Sequence, residues 1–174
     1  MQVYLLRHGV AEEGGTSVND ADRALTAEGR QKLREVLRAA VNAEVQPTLI
    51  LTSPLKRAVQ TAEIAKDILG YKSALVRTKA LVPSATVDLV WEEVRAHRNE
   101  EQLMLVGHDP LFSHLGGYLL GAPSLKIDFK KGSILRVDFE NFPSHPHGIL
   151  RWYLTAKLAA MRTRNVGKAS GGAR

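Results

Sequence analysis

The chain has 174 residues, of which 44% are hydrophobic and 24% charged, and it has no cysteine. Such a length and composition suit one globular domain with its own core, and the missing thiols exclude disulfide and thiolate chemistry. No apolar run approaches the ~20 residues that would span a bilayer, and Arg7 interrupts the first apolar run, so a cytoplasmic protein is expected. The net charge of +6 is local: residues 151–174 carry six basic side chains and no acidic one, leaving 18 basic against 18 acidic residues elsewhere.

In chain order, residues 2–7 read as a buried strand that ends in Arg7, His8 and Gly9. A loop rich in Gly, Ser, Asn and Asp covers residues 12–23. Thr26 then caps a helix over 27–43, with Glu28 in its first turn and Leu33, Val36, Leu37, Ala40 and Val41 at helical spacing. Leu49–Thr52 is a short strand. Ser53 reads as the cap of the next helix and Pro54 as its first residue, the helix ending near Gly70. Residues 74–77 read as a third strand. Residues 87–96 form a helix with Leu89, Val90 and Val94 inward, and residues 102–106 form a buried strand. Gly107, His108, Asp109 and Pro110 open a helix to about Leu120, in which His114 reads as a partly buried polar contact. Residues 125–129 and 134–139 alternate apolar and polar side chains around Lys131 and Gly132, a hairpin signal. A strand at 149–154 and a short helix at 155–162 follow. The expected domain is 1–162, with a basic, flexible tail over 163–174.

Strands alternating with helices predict an α/β fold: a three-layer α/β/α sandwich around a mainly parallel, mixed sheet. Three of its strands end in turns that carry ionisable groups, namely Arg7 with His8, then Arg57, then His108. Parallel strands deliver such groups to one edge of the sheet. Arg57 also stands in the first turn of its helix, near a dipole end that favours anions. Two arginines, two histidines and free backbone N–H groups suit a phosphate dianion. Gly9 permits a turn conformation and a close backbone approach. No acidic set is arranged for a metal, and His145 and His147 have no evident third ligand. The tail could attach to acidic partners, but no RNA-recognition motif with stacking aromatics accompanies it, which ranks nucleic acid last among partners.

Arg7-His8-Gly9, the segment from Ser53-Pro54-Leu55-Lys56-Arg57-Ala58 to Thr61-Ala62, and Gly107-His108 resemble the histidine phosphatase (phosphoglycerate mutase-like) superfamily. Within it, the short chain, Arg23-Ala24-Leu25-Thr26 and Val106-Gly107-His108-Asp109-Pro110 look most like the SixA phosphohistidine phosphatases. The resemblance implies that His8 is a nucleophile forming a phosphohistidine intermediate. It implies that Arg7 and Arg57 clamp the phosphoryl oxygens, and that His108 donates to the same group when protonated. Gly9, Arg23 and Asp109 are further candidates for contact with substrate. No cofactor is implied.

Many phosphatases of this superfamily carry an acidic proton donor after the third strand. Here Ala80-Leu81-Val82-Pro83-Ser84-Ala85-Thr86 offers no carboxylate before Asp88, with Glu12, Glu13, Asp20 and Asp109 as the remaining candidates. A poor leaving group needs a proton; a protonated phosphoimidazole leaves more readily. The expected substrate is therefore phosphohistidine in a protein partner, the alternative a small phosphorylated metabolite.

Overall fold

The computed structural model describes residues 1–14 and 19–161. The expected flexible tail over 163–174 and the expected end of the last helix at Arg162 lie outside the described residues, as does part of the loop after Glu13. The elements are β1 (Gln2–Arg7), α1 (Ala27–Val41), β2 (Leu49–Thr52), α2 (Lys56–Leu69), β3 (Val76–Arg77), α3 (Val87–Ala96), β4 (Gln102–Gly107), α4 (Leu111–Leu119), β5 (Ile134–Asp138) and β6 (Ile149–Leu154). Short 3-10 turns occupy Asp20–Asp22 and Lys79–Leu81, and residues 156–161 are helical.

The six strands form one sheet in the order β3-β2-β4-β1-β5-β6. β3, β2, β4 and β1 run parallel, β5 is antiparallel to β1, and β6 is antiparallel to β5. Side chains alternate across a strand, so β1 sends Tyr4 and Leu6 to one face and Val3 and Leu5 to the other. The first face packs on α1 and α2 through Leu33, Leu37, Ala58 and Ala62. The second packs on α3 and α4 through Val90, Trp91, Phe112 and Leu115. This is the α/β/α sandwich expected from the alternation of elements.

Several local expectations are corrected. Residues 125–129 form no strand, because β5 takes the free edge of β1 and β6 then takes the edge of β5. Phe129 is nevertheless fully buried, its ring against Phe112 and Tyr153. The alternation there records one-sided burial of a loop. α2 begins at Lys56 after Leu55, with no side-chain cap, so Ser53 is not its N-cap. Val41, Leu89 and His114, expected to face inward at least in part, are exposed. Gly9 is not in the left-handed region. A Cβ there would meet the Gly29 carbonyl oxygen at 3.3 Å, and one on Gly29 would meet the Val10 oxygen at 2.2 Å. The pair of glycines lets the loop after β1 lie directly on the start of α1.

Candidate active site

The sheet register places the site. Arg7 pairs with Gly107, and Thr52 pairs with Val106, so His8, His108 and Ser53 leave three adjacent parallel strands side by side. Neighbouring strands lie ~4.8 Å apart, and the His8 and His108 ring centroids are 5.0 Å apart. Both imidazoles are buried, at 7% and 1% exposure, and Arg57 is buried with them at 5%.

Each side chain is held by a specific partner. His8 Nδ1 lies 2.7 Å from the Gly9 carbonyl oxygen. A carbonyl only accepts, so Nδ1 carries the proton and Nε2 keeps a free lone pair. Gly9 N–H donates to Thr61 Oγ1 at 3.2 Å, and Thr61 Oγ1 donates to the Arg57 carbonyl at 2.7 Å. Thr61 thus ties the nucleophile loop to the first turn of α2. His108 Nε2 lies 2.8 Å from Ser53 Oγ, which already accepts from Leu55 N–H at 3.3 Å. In the tautomer in which the Ser53 hydroxyl donates to Nε2, the His108 proton is on Nδ1. Arg7 Nη1 donates to the Phe129 carbonyl and stands 3.8 Å from Asp109 Oδ2. Gly132, with a positive φ of 72°, donates its N–H to the Arg7 and His8 carbonyls and closes the end of β1.

Two buried polar atoms have no hydrogen-bond partner among the described residues: Arg7 Nε and His108 Nδ1. An unpaired buried N–H costs about 1–3 kcal/mol, and both of these belong to groups around His8. Such donors suit an oxyanion.

Electrostatics keep the two rings neutral. Burial, then the charges of Arg57, Arg7 and Lys131, lower the His8 pKa from 6.5 to about 4 against the raising effect of Gly9. Burial, then His8, Arg57 and Arg7, lower that of His108 to about 3, opposed by Asp20. His108 is thus neutral in the free site at neutral pH, and in the tautomer in which Ser53 donates to Nε2 its donor is Nδ1–H. These shifts make folding pH-dependent. The unfolded chain takes up protons at both histidines as pH falls through 6.5, while the folded chain does so only near 4 and 3. Stability contributed by the neutral rings is thus complete above 6.5 and is lost below it, by about 1.4 kcal/mol per histidine per pH unit. Urea melts from pH 7.5 to 5 are expected to show that decline, and a shallower one for His8→Gln; equal slopes would contradict the assignment.

The remaining candidates sit around this cluster. Arg23 donates through Nη1 to Asp20 Oδ1 at 2.8 Å and through Nε to the Glu12 carbonyl at 2.7 Å. Asp109 accepts from the Ser113 N–H at 3.2 Å and from its hydroxyl, so it holds the start of α4 as well as facing Arg7. Sequence reasoning missed the contacts of Ser53, read as a cap, and of Thr61, which entered as part of the family motif. It placed Asp20 only among the remaining candidate proton donors, whereas Asp20 accepts from Arg57. Among the described residues no three His, Asp or Glu side chains could hold a metal ion, and no helix is long and apolar enough to cross a membrane.

Comparison with known proteins agrees with this geometry. Residues 3–81 match the family model of the histidine phosphatase superfamily, branch 1. An uncharacterised protein of Picosynechococcus sp. is 33% identical over 137 residues, covering 78% of this chain and 83% of that one. The structure of the protein histidine phosphatase SixA complexed with tungstate superposes with a TM-score of 0.80 at 25% identity, over 90% of this chain and 98% of that one. The alpha-ribazole phosphatase of Shigella flexneri shares the fold, with a TM-score of 0.70 at 17% identity over 90% and 97% of the two chains. So does the phosphoserine phosphatase of Entamoeba histolytica, at 0.64 and 17% over 90% and 98%. Sequence match, sheet topology and the surrounding phosphatases converge: this chain is a phosphatase of the histidine phosphatase superfamily, branch 1, with a SixA-like fold.

Proposed function

We propose that the protein hydrolyses phosphohistidine in a protein partner through a covalent phosphohistidine on His8. The observation that carries the reading is the His8 ring itself. Its Nδ1–H is committed to the Gly9 carbonyl at 2.7 Å, and its pKa near 4 leaves Nε2 unprotonated at neutral pH. Nε2 attacks phosphorus in line, and the bond to the leaving atom breaks as the new P–N bond forms. Arg57 and Arg7 hold the non-bridging oxygens, and His108 Nδ1–H donates to one of them. Water then attacks the phosphoryl group, the P–Nε2 bond breaks with its electron pair returning to the ring, and the water's proton stays with the product phosphate. Gly9 acts through its carbonyl and its close approach to α1, while Asp109 orients Arg7.

The leaving group favours phosphohistidine over an alkyl phosphate. Residues 79–86, after β3, hold no carboxylate, and Asp20 is kept ionised by its hydrogen bond to Arg23, with Arg57 adding to the effect. An alkoxide would leave without a proton; a phosphoimidazole carries its own. The similarity to SixA points the same way. The test is kcat/KM on a phosphohistidine peptide, a phosphoserine peptide and a sugar phosphate at equal pH. The phosphohistidine peptide is expected to lead by at least about 100-fold, the scale of one general-acid contribution. A sugar phosphate or other metabolite in the lead would replace the protein substrate with a small molecule.

A further inference from the structure

Arg57 is not free to face phosphate alone. Its Nη1 donates to the Asp20 carbonyl at 2.6 Å and its Nη2 to Asp20 Oδ2 at 3.1 Å. Arg23 Nη1 holds the other carboxylate oxygen at 2.8 Å. The Arg57 side chain is 6% exposed but that of Asp20 is 61% exposed, so the carboxylate stands at the outer side of the guanidinium. A carboxylate has about four lone-pair sites, and the two arginines use two of them.

In-line displacement puts the leaving group opposite the nucleophile. His8 is buried, so the leaving group lies toward solvent, and Asp20 is a solvent-facing carboxylate bound to Arg57. An anion beside a phosphate-binding arginine weakens the attraction for a dianion. It is useful there if the departing group is a cation.

We propose that Asp20 accepts a hydrogen bond from the unphosphorylated ring nitrogen of the substrate phosphohistidine and holds that ring in its cationic, labile form. The assignment rests on the phosphohistidine reading above. In the step, His8 Nε2 forms a bond to phosphorus and the substrate P–N bond breaks. The electron pair of that bond goes to the substrate ring and cancels its positive charge. The proton stays on the nitrogen facing Asp20, and a neutral histidine departs. No proton donor is consumed, in keeping with the absence of a carboxylate from residues 79–86. Asp20 is thereby a specificity residue for N-phosphoryl imidazoles.

The experiment compares the full-length protein with Asp20→Asn and Asp20→Glu on a phosphohistidine peptide and on p-nitrophenyl phosphate, whose phenolate departs without a cationic ring. At pH 7.5 the ratio of the two kcat/KM values is expected to fall at least tenfold in Asp20→Asn and to recover in part in Asp20→Glu. The groups facing Asp20 are Arg23 beside it, Arg57 from α2 and His108 after β4. His108, with its pKa lowered to about 3, gains no proton between pH 7.5 and 5.5 in the free site, so the deficit is expected to narrow at pH 5.5, where solvent protonates the substrate ring. An unchanged ratio, or equal losses on both substrates, would leave Asp20 only the task of holding Arg57 and would overturn the assignment. Failure of the unaltered protein on the phosphohistidine peptide, with p-nitrophenyl phosphate still cleaved, would instead overturn the substrate reading on which it rests.

Discussion

Replacing His8 with Gln is expected to lower kcat on every phosphate ester and phosphoramidate by about 10^5-fold or more, the scale seen when a nucleophile is removed. Gln preserves much of the shape and can donate to the Gly9 carbonyl as Nδ1 does, but it offers no lone pair to phosphorus. His8 is buried and its native form is neutral, so the change should leave the fold intact, as near-UV circular dichroism would show. Residual turnover within 100-fold of the parent would mean that another group, or water directly, attacks phosphorus.

Arg57→Ala is expected to cost about 10^2- to 10^3-fold in kcat/KM, or roughly 2.7–4 kcal/mol, by analogy with the loss of one oxyanion-hole donor. Arg57 lies against the two imidazoles electrostatically and also anchors the Asp20–Asp22 turn through the Asp20 carbonyl. Arg57→Lys keeps the charge but loses the planar fork, so it should recover only part of the loss. Full recovery by Lys would make Arg57 a point charge; no effect of either change would remove it from the phosphoryl site. Inhibition by inorganic phosphate should weaken in parallel, since the same guanidinium meets substrate and product.

The parts of the fold that could be read in advance are those where burial imposes a simple pattern. Val3–Leu6 and Leu103–Val106 are continuous apolar runs because both faces of β1 and β4 are covered. Their ends then had to share an edge, which is why His8 and His108 were expected together. What escaped the pattern involves polar groups whose partners are remote in sequence. Ser53 looks like a helix cap by composition, yet its hydroxyl lies against His108, 55 residues away. Asp20 meets Arg57 across 37 residues, and nothing in its neighbourhood signals that pairing. The stretch 125–129 alternates like a strand, but the edge it needed belongs to β5. The depression of both histidine pKa values is not legible in the sequence, because it comes first from burial and then from cations brought in by other segments.

The central claim is that phosphorus is carried on one nitrogen of His8 during turnover. Mixing the protein with a 32P-labelled phosphohistidine donor and quenching in base within milliseconds should trap an acid-labile, base-stable label. Peptide mapping should place it on His8, with the amount falling to background in His8→Gln and chasing to free phosphate at the rate of turnover. Steady hydrolysis with no trapped label on any single-turnover timescale, or a label on a different residue, would contradict the mechanism.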